Sequence, residues 1–293
     1  MSFSERNGYK KIKTEFQKES MDDDLKNSLW NCISNYFFNY FKDAVAYSNA
    51  LGYDFKIRFI EDLAFNFFKI TIEDLPTYKL DLIKSIKNWI YETDWFNVYD
   101  FIESIINFIK NYDYSISEIL DNSSILKNLE YILNFILKRE LSGYSLISGM
   151  ITPIISDEEI KEIEKVLDFP LKGVNIHIQT ALKHLSNKKN PDYRNSIKES
   201  ISAVESLCQL ISGDKNATLG QALKIVEKTL KINSALKSGF SNIYGYTSSD
   251  EGIRHALFDE STLDLEDAQF MLVSCSAFIN YLIEKSNKSG IKF

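Results

Sequence analysis

The chain has 293 residues, 44% of them hydrophobic, so it can bury a sizeable core in one large domain or two ordinary ones. Only 4 Pro and 11 Gly are present, and this scarcity of turn-forming residues argues against an all-β fold. The net charge of −7 argues against a generic nucleic-acid coat, although residues 161–237 carry 13 Lys and Arg against 8 Asp and Glu. That basic stretch is either a solvated helix face or a surface that contacts phosphate.

Apolar residues recur at helical spacing throughout the first half of the chain. The acidic segment Ser20–Asp24 precedes the first long apolar run and predicts a helix N-terminus, because carboxylates cap free N–H groups and suit the positive end of the helix dipole. The predicted helices of this half cover Leu25–Tyr47, Phe55–Ile70, Tyr78–Tyr91, Val98–Ile109 and Ile125–Leu137.

The pattern changes around Leu141. Residues 143–155 are rich in β-forming side chains and carry Ser148-Gly149 at their centre, which predicts a short β-hairpin with a tight turn. We place a domain boundary before this hairpin, which gives two domains at residues 1–140 and 141–293.

The second half again shows helical spacing. Ser156 and Glu159 fit a capping box at the start of its first helix. Asn190 and Pro191 are expected at the cap and first position of another helix. Residues 244–261 are expected to form a polar loop. The predicted helices end near Val166, Leu185, Ile211, Leu230, Ile243 and Lys285, the last of them buried. The sequence therefore predicts an all-α protein of two helical bundles with one short β-hairpin near residues 143–155.

The N-terminus is polar and lacks the apolar core of a signal peptide, and the sequence contains no run of about 18 apolar residues. We expect a soluble, cytoplasmic protein with no membrane contact. Cys32, Cys208 and Cys275 lie far apart in apolar stretches, which indicates buried, reduced thiols. Because only three His accompany them, we expect no metal site and no metal cofactor.

An adjacent pair, Arg254 and His255, stands in the expected polar loop. A His can act as general acid or base near neutral pH, and an Arg can bind a phosphate and stabilise developing charge. Asp250 and Glu251 lie close enough in sequence to raise the pKa of His255. The alternative is a structural loop in which Arg254 pairs with one of these two acids.

Arg194, Lys198 and Glu205 share a flank of the helix predicted to end at Ile211. Arg194 and Glu205 lie about 16 Å apart along the axis, which is too far for a direct pair. These three residues either contact a neighbouring helix or a ligand, or are ordinary boundary residues. His177 and His184 are about 10 Å apart along one helix, too far to share a metal, and are predicted to be partly buried packing residues.

Two groups of segments carry a family resemblance. Residues 3–9 (FSERNGY) and 19–31 (ESMDDDLKNSLWN) resemble the start of AbiJ-type abortive-infection proteins with the fourth type of N-terminal domain. Residues 193–201 (YRNSIKESI), 252–257 (GIRHAL) and 268–272 (AQFML) are similar to a HEPN-like helical domain. Many HEPN domains are metal-independent ribonucleases that dimerise and use an R-x(4–6)-H motif. Here the Arg and His are adjacent, which departs from that motif.

The resemblance implies an antiphage abortive-infection protein with an N-terminal sensor or interaction domain and a C-terminal HEPN-like endoribonuclease. It implies no cofactor. Expected partners are RNA (tRNA and mRNA are candidates), a second copy of the chain, and a phage-derived trigger. The alternative is a non-catalytic sensor or protein-interaction module of a defence system, and a third interpretation is a helical scaffold. The expected roles are catalysis for Arg254 and His255, RNA binding for Arg194 and Lys198, and support for Asp250 and Glu205.

Overall fold

The computed structural model describes residues 3–9, 13–38, 58–76, 79–111, 122–187, 191–248 and 263–293. Helical residues make up 74% of this part of the chain, and its sheet is a single two-stranded hairpin, so the all-α prediction is confirmed. The chain divides into two compact units, Met1–Pro153 and Ile154–Phe293. None of the described helices combines the length and the apolar character that crossing a membrane requires.

The first unit contains five numbered helices within the described residues. Asp22 caps the second of them, since its Oδ1 accepts a hydrogen bond from the Leu25 N–H at 2.9 Å, which confirms the acidic helix start. The helices are α1 (Phe3–Arg6), α2 (Asp23–Cys32), α3 (Lys79–Glu92), α4 (Trp95–Asn111) and α5 (Asn122–Arg139). The predictions for α3, α4 and α5 are confirmed to within three residues at each end.

Two wider helical turns accompany these helices. The α2 helix continues into a π-helical segment, Ile33–Phe38, and residues 58–62 continue into a second one, Leu63–Phe68. Residues 39–57, which include the end of the first of these predicted helices and the start of the second, lie outside the described residues. The second π-helical segment ends at Lys69, whose φ of 54° is left-handed, and a short 3-10 turn follows at Ile72–Asp74.

Aromatic rings form much of the core of the first unit. The ring of Phe59 lies 4.9 Å from that of Phe37 and 5.2 Å from that of Phe108, centroid to centroid. Trp89 packs edge-on against Phe67 and Phe101. Because each aromatic ring removes a large apolar area from water, these contacts bring helices from distant parts of the chain together.

The predicted β-hairpin is present as β1 (Ser145–Ile147) and β2 (Met150–Thr152), paired antiparallel. Its turn consists of Ser148 and Gly149, with φ of 52° and 82°. Positive φ at both central residues is the conformation of the tight turns that match the twist of a hairpin, which explains why Gly stands second.

Side chains from α4 and α5 satisfy the outer edges of this hairpin. The Asn134 carboxamide accepts from the Leu146 N–H at 2.7 Å and donates to the Leu146 carbonyl at 2.8 Å. The Glu103 carboxylate accepts from the Ile151 N–H at 2.6 Å. The sequence places the domain boundary at residue 140, whereas these contacts make the hairpin part of the unit that ends at Pro153.

The second unit is a helical bundle centred on two long helices. Its helices are α6 (Asp157–Asp168), α7 (Lys172–Ser186), α8 (Tyr193–Ser212), α9 (Leu219–Thr229), α10 (Ser234–Ser248) and α11 (Leu265–Lys288). The α8 helix packs against α7, α9 and α11, and α11 packs in addition against α6 and α7.

The three cysteines are free and buried, as predicted. Cys32 lies in α2, Cys208 in α8 and Cys275 in α11. Burial raises the pKa of each thiol to about 12. Because the thiolate is the reactive form, these residues act as packing groups.

Two predicted details of the second unit are wrong. The cap of α8 is Asp192, whose carboxylate accepts from the Asn195 N–H at 3.0 Å, and Pro191 lies outside the helix. An ionised acceptor suits the positive helix end, so the α8 helix begins after Asp192 instead of at Asn190. The α10 helix runs to Ser248, so residues 244–248 are helical instead of looped, and residues 249–262 lie outside the described part.

The start of α6 is as predicted in one respect only. The Ser156 hydroxyl accepts from the Glu159 N–H at 3.5 Å and so caps the helix. The Glu159 carboxylate, expected to reach back to Ser156, accepts a hydrogen bond from Gln269 of α11 at 2.9 Å. A contact between helices has replaced the local one.

Candidate functional site

Two His–acid pairs line a polar seam between α7 and α8 in the second unit. His177 Nδ1 lies 2.7 Å from Glu199 Oε2, and His184 Nδ1 lies 3.8 Å from Asp192 Oδ2. Between the two pairs, the Ser196 hydroxyl donates to the Ala181 carbonyl at 2.9 Å. The partners run in opposite directions along the two helices, so α7 and α8 are antiparallel and each His faces an acid.

The His177–Glu199 pair is partly open to solvent, with 33% and 21% of the two side chains exposed. Since a carboxylate is a hydrogen-bond acceptor, Glu199 favours a proton on Nδ1 and leaves Nε2 as the basic nitrogen of the neutral ring. An imidazole held in this way can transfer a proton. The same hydrogen bond also joins α7 to α8, so it serves the packing of the two helices as well.

Asp192 has two roles at the beginning of α8. Burial opposes its ionisation, but hydrogen bonds from the Asn195 side chain and backbone N–H, with the charges of His184 and Arg194, lower the pKa of Asp192 below its usual 3.8. The carboxylate is therefore ionised at neutral pH. It caps the helix and lies close to His184 and Arg194 at the same end.

The predicted RNA-contacting residues, Arg194 and Lys198, lie one turn apart on α8, where Lys198 is exposed and Arg194 half-buried. Glu199 follows Lys198 by about 100° around the helix axis, so the basic flank and the His177–Glu199 pair face different directions. The structure thus brings Arg194 and Lys198 together on one side of α8 and separates them from His177.

The predicted support residue Glu205 contacts the next helix. Its Oε1 accepts a hydrogen bond from the Leu219 N–H at 2.9 Å, at the first residue of α9. A carboxylate at this position satisfies a free helical N–H and suits the helix dipole. This is a contact with a neighbouring helix, one of the alternatives that the sequence left open.

The predicted catalytic residues Arg254 and His255, and the predicted support residue Asp250, lie outside the described residues. Across the described ranges, no group of three or more His, Cys, Asp or Glu side chains is placed to hold a metal ion.

His177 and His184, predicted as packing residues, each face an acid that the sequence pattern does not reveal. The signal lay in two equal spacings, because His177 and His184 are seven residues apart, as are Asp192 and Glu199. Equal spacings become contacts only when two helices pack antiparallel in one particular register. That register is set by the fold.

The first part of the chain matches a known protein family. A family model described as AbiJ N-terminal domain 4 matches residues 1–168, more than half of the 293-residue chain. The matched segment covers the first unit and α6. No curated protein and no solved structure matches the chain.

Proposed function

We propose an antiphage function on the premise that this chain belongs to the AbiJ N-terminal domain 4 family, whose model covers residues 1–168. That match is the observation that carries the proposal, and it supports an abortive-infection role. In this proposal the protein acts in the cytoplasm, where its first unit responds to a phage-derived trigger and its second unit arrests the cell.

We further propose that the second unit is a HEPN-like endoribonuclease. The resemblance at residues 252–257 assigns proton transfer to His255 and charge stabilisation to Arg254. In the reaction, a ribose 2′-oxygen loses its proton and bonds to the adjacent phosphorus. The P–O5′ bond breaks, and the leaving oxygen takes a proton. An imidazole can transfer either proton, and a guanidinium can hold the phosphate in its more charged transition state.

Charge supports RNA as the substrate class. The segment 161–237 has an excess of basic residues in a chain of net charge −7. Arg194 and Lys198 lie together on the side of α8 away from the His177–Glu199 pair. Cationic side chains of this kind bind a phosphate backbone without reading its sequence. We assign Arg194 and Lys198 to RNA binding and leave Glu205 a structural role at the start of α9.

The deciding experiment measures cleavage of total cellular RNA by the wild-type protein, His255→Ala and Arg254→Lys, beside their melting curves. We expect His255→Ala to remove cleavage and growth arrest, since loss of proton transfer costs about 10²–10⁴-fold in rate. Arg254→Lys should also impair cleavage, because Lys lacks the bidentate fork of Arg. Melting temperatures should stay at the wild-type value. A toxic wild-type protein that leaves RNA intact would end the nuclease proposal.

The proposal includes a homodimer formed through the second unit, because a composite HEPN-like site needs two copies of the loop that holds Arg254 and His255. Light scattering on the purified chain at tens of micromolar tests this directly. We expect twice the monomer mass of 33.9 kDa. A monomer at that concentration argues against a shared site.

A second candidate function is a sensor or interaction module without catalysis. It is favoured by a groove of about 670 Å³ in the first unit, lined in part by Asn107 and Asn111. The two candidates differ in one observable outcome. The sensor module binds a partner and leaves RNA intact, whereas the nuclease cuts RNA in the absence of any other protein.

A further inference from the structure

The groove of the first unit lies between α4 and the helical segment 58–68. It encloses about 670 Å³, which is within the range of ligand sites. The α4 wall carries the polar side chains of Ser104, Asn107 and Asn111 beside the buried ring of Phe108. The other wall carries Glu61, Asp62 and Phe65. Apart from Phe108, the α4 side is therefore polar, and the opposite side is acidic with an apolar ring.

Asn107 and Asn111 form a short ladder of carboxamides. Both side chains are exposed, and within the described part of the chain neither makes a hydrogen bond. They lie one helical turn apart, a rise of about 6 Å. Peptide groups two residues apart in an extended chain are separated by about 6.6 Å. The two carboxamides therefore match alternate peptide groups of an extended segment.

The same unit already binds an extended backbone in this way. Asn134 of α5 accepts from the N–H and donates to the carbonyl of Leu146 in β1. A helical Asn thus satisfies both backbone groups of one strand residue. Asn107 and Asn111 present the same group to the groove, where no part of the described chain occupies it.

The opposite wall selects among peptides by charge and by an apolar contact. Glu61 and Asp62 are half-buried, and Arg58 is the basic residue among the lining side chains, so the walls carry a net charge of −1. The Phe65 ring is 63% exposed at this wall. Such a surface disfavours a polyanion and favours a cationic segment with an aromatic or aliphatic side chain for the ring.

We propose that this groove binds an extended peptide segment of a partner protein, with a Lys or Arg opposite Glu61 and Asp62 and an apolar residue against Phe65. Asn107 and Asn111 bind its backbone, so the side chains between them are free to vary. This inference rests on the sensor role proposed for the first unit. It is tested by binding without RNA, so its failure leaves the nuclease experiment unaffected.

The probe is a yeast-displayed library of random twelve-residue peptides, sorted with the labelled full-length protein. Sorting is repeated with Asn107→Arg, which fills the groove at an exposed position. We expect enrichment of peptides that combine a basic and an apolar residue, and we expect Asn107→Arg to lose them. Enrichment that is absent, that favours acidic peptides, or that persists on Asn107→Arg overturns the proposal.

Affinities of the enriched peptides, measured by fluorescence anisotropy, then separate the two walls. Asn107→Ala and Asn111→Ala should each weaken binding roughly 2- to 10-fold, the effect of one lost hydrogen bond. Glu61→Lys should weaken the binding of basic peptides more than that of neutral peptides. Asn88→Ala is the matched control, since Asn88 is an exposed helical Asn of α3 that does not line the groove. If Asn88→Ala weakens peptide binding as much as Asn107→Ala does, the carboxamides of Asn107 and Asn111 do not bind the peptide backbone.

Discussion

His177 Nδ1 of α7 lies 2.7 Å from Glu199 Oε2 of α8, whereas the corresponding His184 Nδ1 lies 3.8 Å from Asp192 Oδ2. Only the shorter of these distances is within the range of a hydrogen bond. One His–acid pair therefore joins the helices through a direct hydrogen bond. The other is a longer contact at a more exposed site, with 33% and 40% of its side chains exposed.

A pair of double-mutant cycles should measure this difference. For His177→Ala and Glu199→Ala we expect a coupling free energy of about 1 kcal/mol, typical of a partly buried charge-assisted hydrogen bond. For His184→Ala and Asp192→Asn we expect less than about 0.5 kcal/mol, because a contact of 3.8 Å between exposed side chains contributes little. Urea unfolding of the four single and two double variants gives both numbers. Equal couplings would mean that the shorter distance has no energetic consequence.

Asp192 should make the stability of the second unit sensitive to acid. Its pKa is lowered in the folded state, so its stabilising contribution is fully present above its usual pKa of 3.8 and is lost as pH falls through the folded value. Asp192→Asn keeps an acceptor at the cap and removes the charge. We expect wild type to exceed this variant in stability at pH 7 and the difference to shrink below about pH 4. A difference that is constant down to pH 3 contradicts the assignment.

Glu205 should stabilise the start of α9 and take no part in RNA cleavage. Glu205→Ala removes the acceptor of the Leu219 N–H and is expected to cost about 1–2 kcal/mol. Glu205→Gln keeps an acceptor oxygen and should recover most of that loss. If the wild-type protein cleaves RNA, Glu205→Gln should cleave it at the same rate. If Glu205→Gln loses cleavage while its melting temperature is unchanged, Glu205 belongs to the RNA-cleaving site.

Gly149 should tolerate no side chain. Its φ is +82°, and an added Cβ would lie 2.5 Å from Lys110 Nζ and 2.9 Å from Ile106 Cγ2. We expect Gly149→Ala to destabilise the first unit by about 1–3 kcal/mol. The matched control is Gly239→Ala in the middle of α10, where a Cβ meets nothing within 4 Å. That change should stabilise its helix by up to about 1 kcal/mol. Melting curves of both variants test the contrast.

A feature of this fold is predictable from the sequence when the residues that determine it lie close together in the chain. The helices α3, α4 and α5 follow from apolar spacing within one segment, because an amphipathic helix needs only a core to face. The hairpin turn follows from Ser148 and Gly149 alone. Its membership of the first unit depends on Asn134, at 12 residues from its partner, and on Glu103, at 48. Contacts at such separations are not contained in any local pattern.

The candidate site shows the same division. The helix that places Arg194 and Lys198 side by side was predictable from the period of α8. The pairing of His177 with Glu199 was not, because it needs the register between two helices. The α8 cap was misassigned for a related reason. Asn190 and Asp192 are both good capping residues, so the local sequence alone does not decide which of them begins the helix.

The last prediction concerns the basic flank of α8 and tests RNA binding apart from cleavage. Binding of single-stranded RNA is measured by anisotropy in the His255→Ala background at several salt concentrations. If Arg194 and Lys198 each contact a phosphate, Arg194→Gln with Lys198→Gln should weaken binding. It should also make the negative slope of log K against log salt shallower by about 1.4, since each phosphate contact contributes about 0.7. The control removes two basic residues of α7, Lys172 and Lys183, which are exposed on another helix. If only the net charge of the protein matters, both double variants lose the same affinity. That outcome would refute direct binding of RNA by this flank of α8. A shallower slope confined to the α8 variant means that the phosphates lie along this flank, because only a direct contact releases a counterion there.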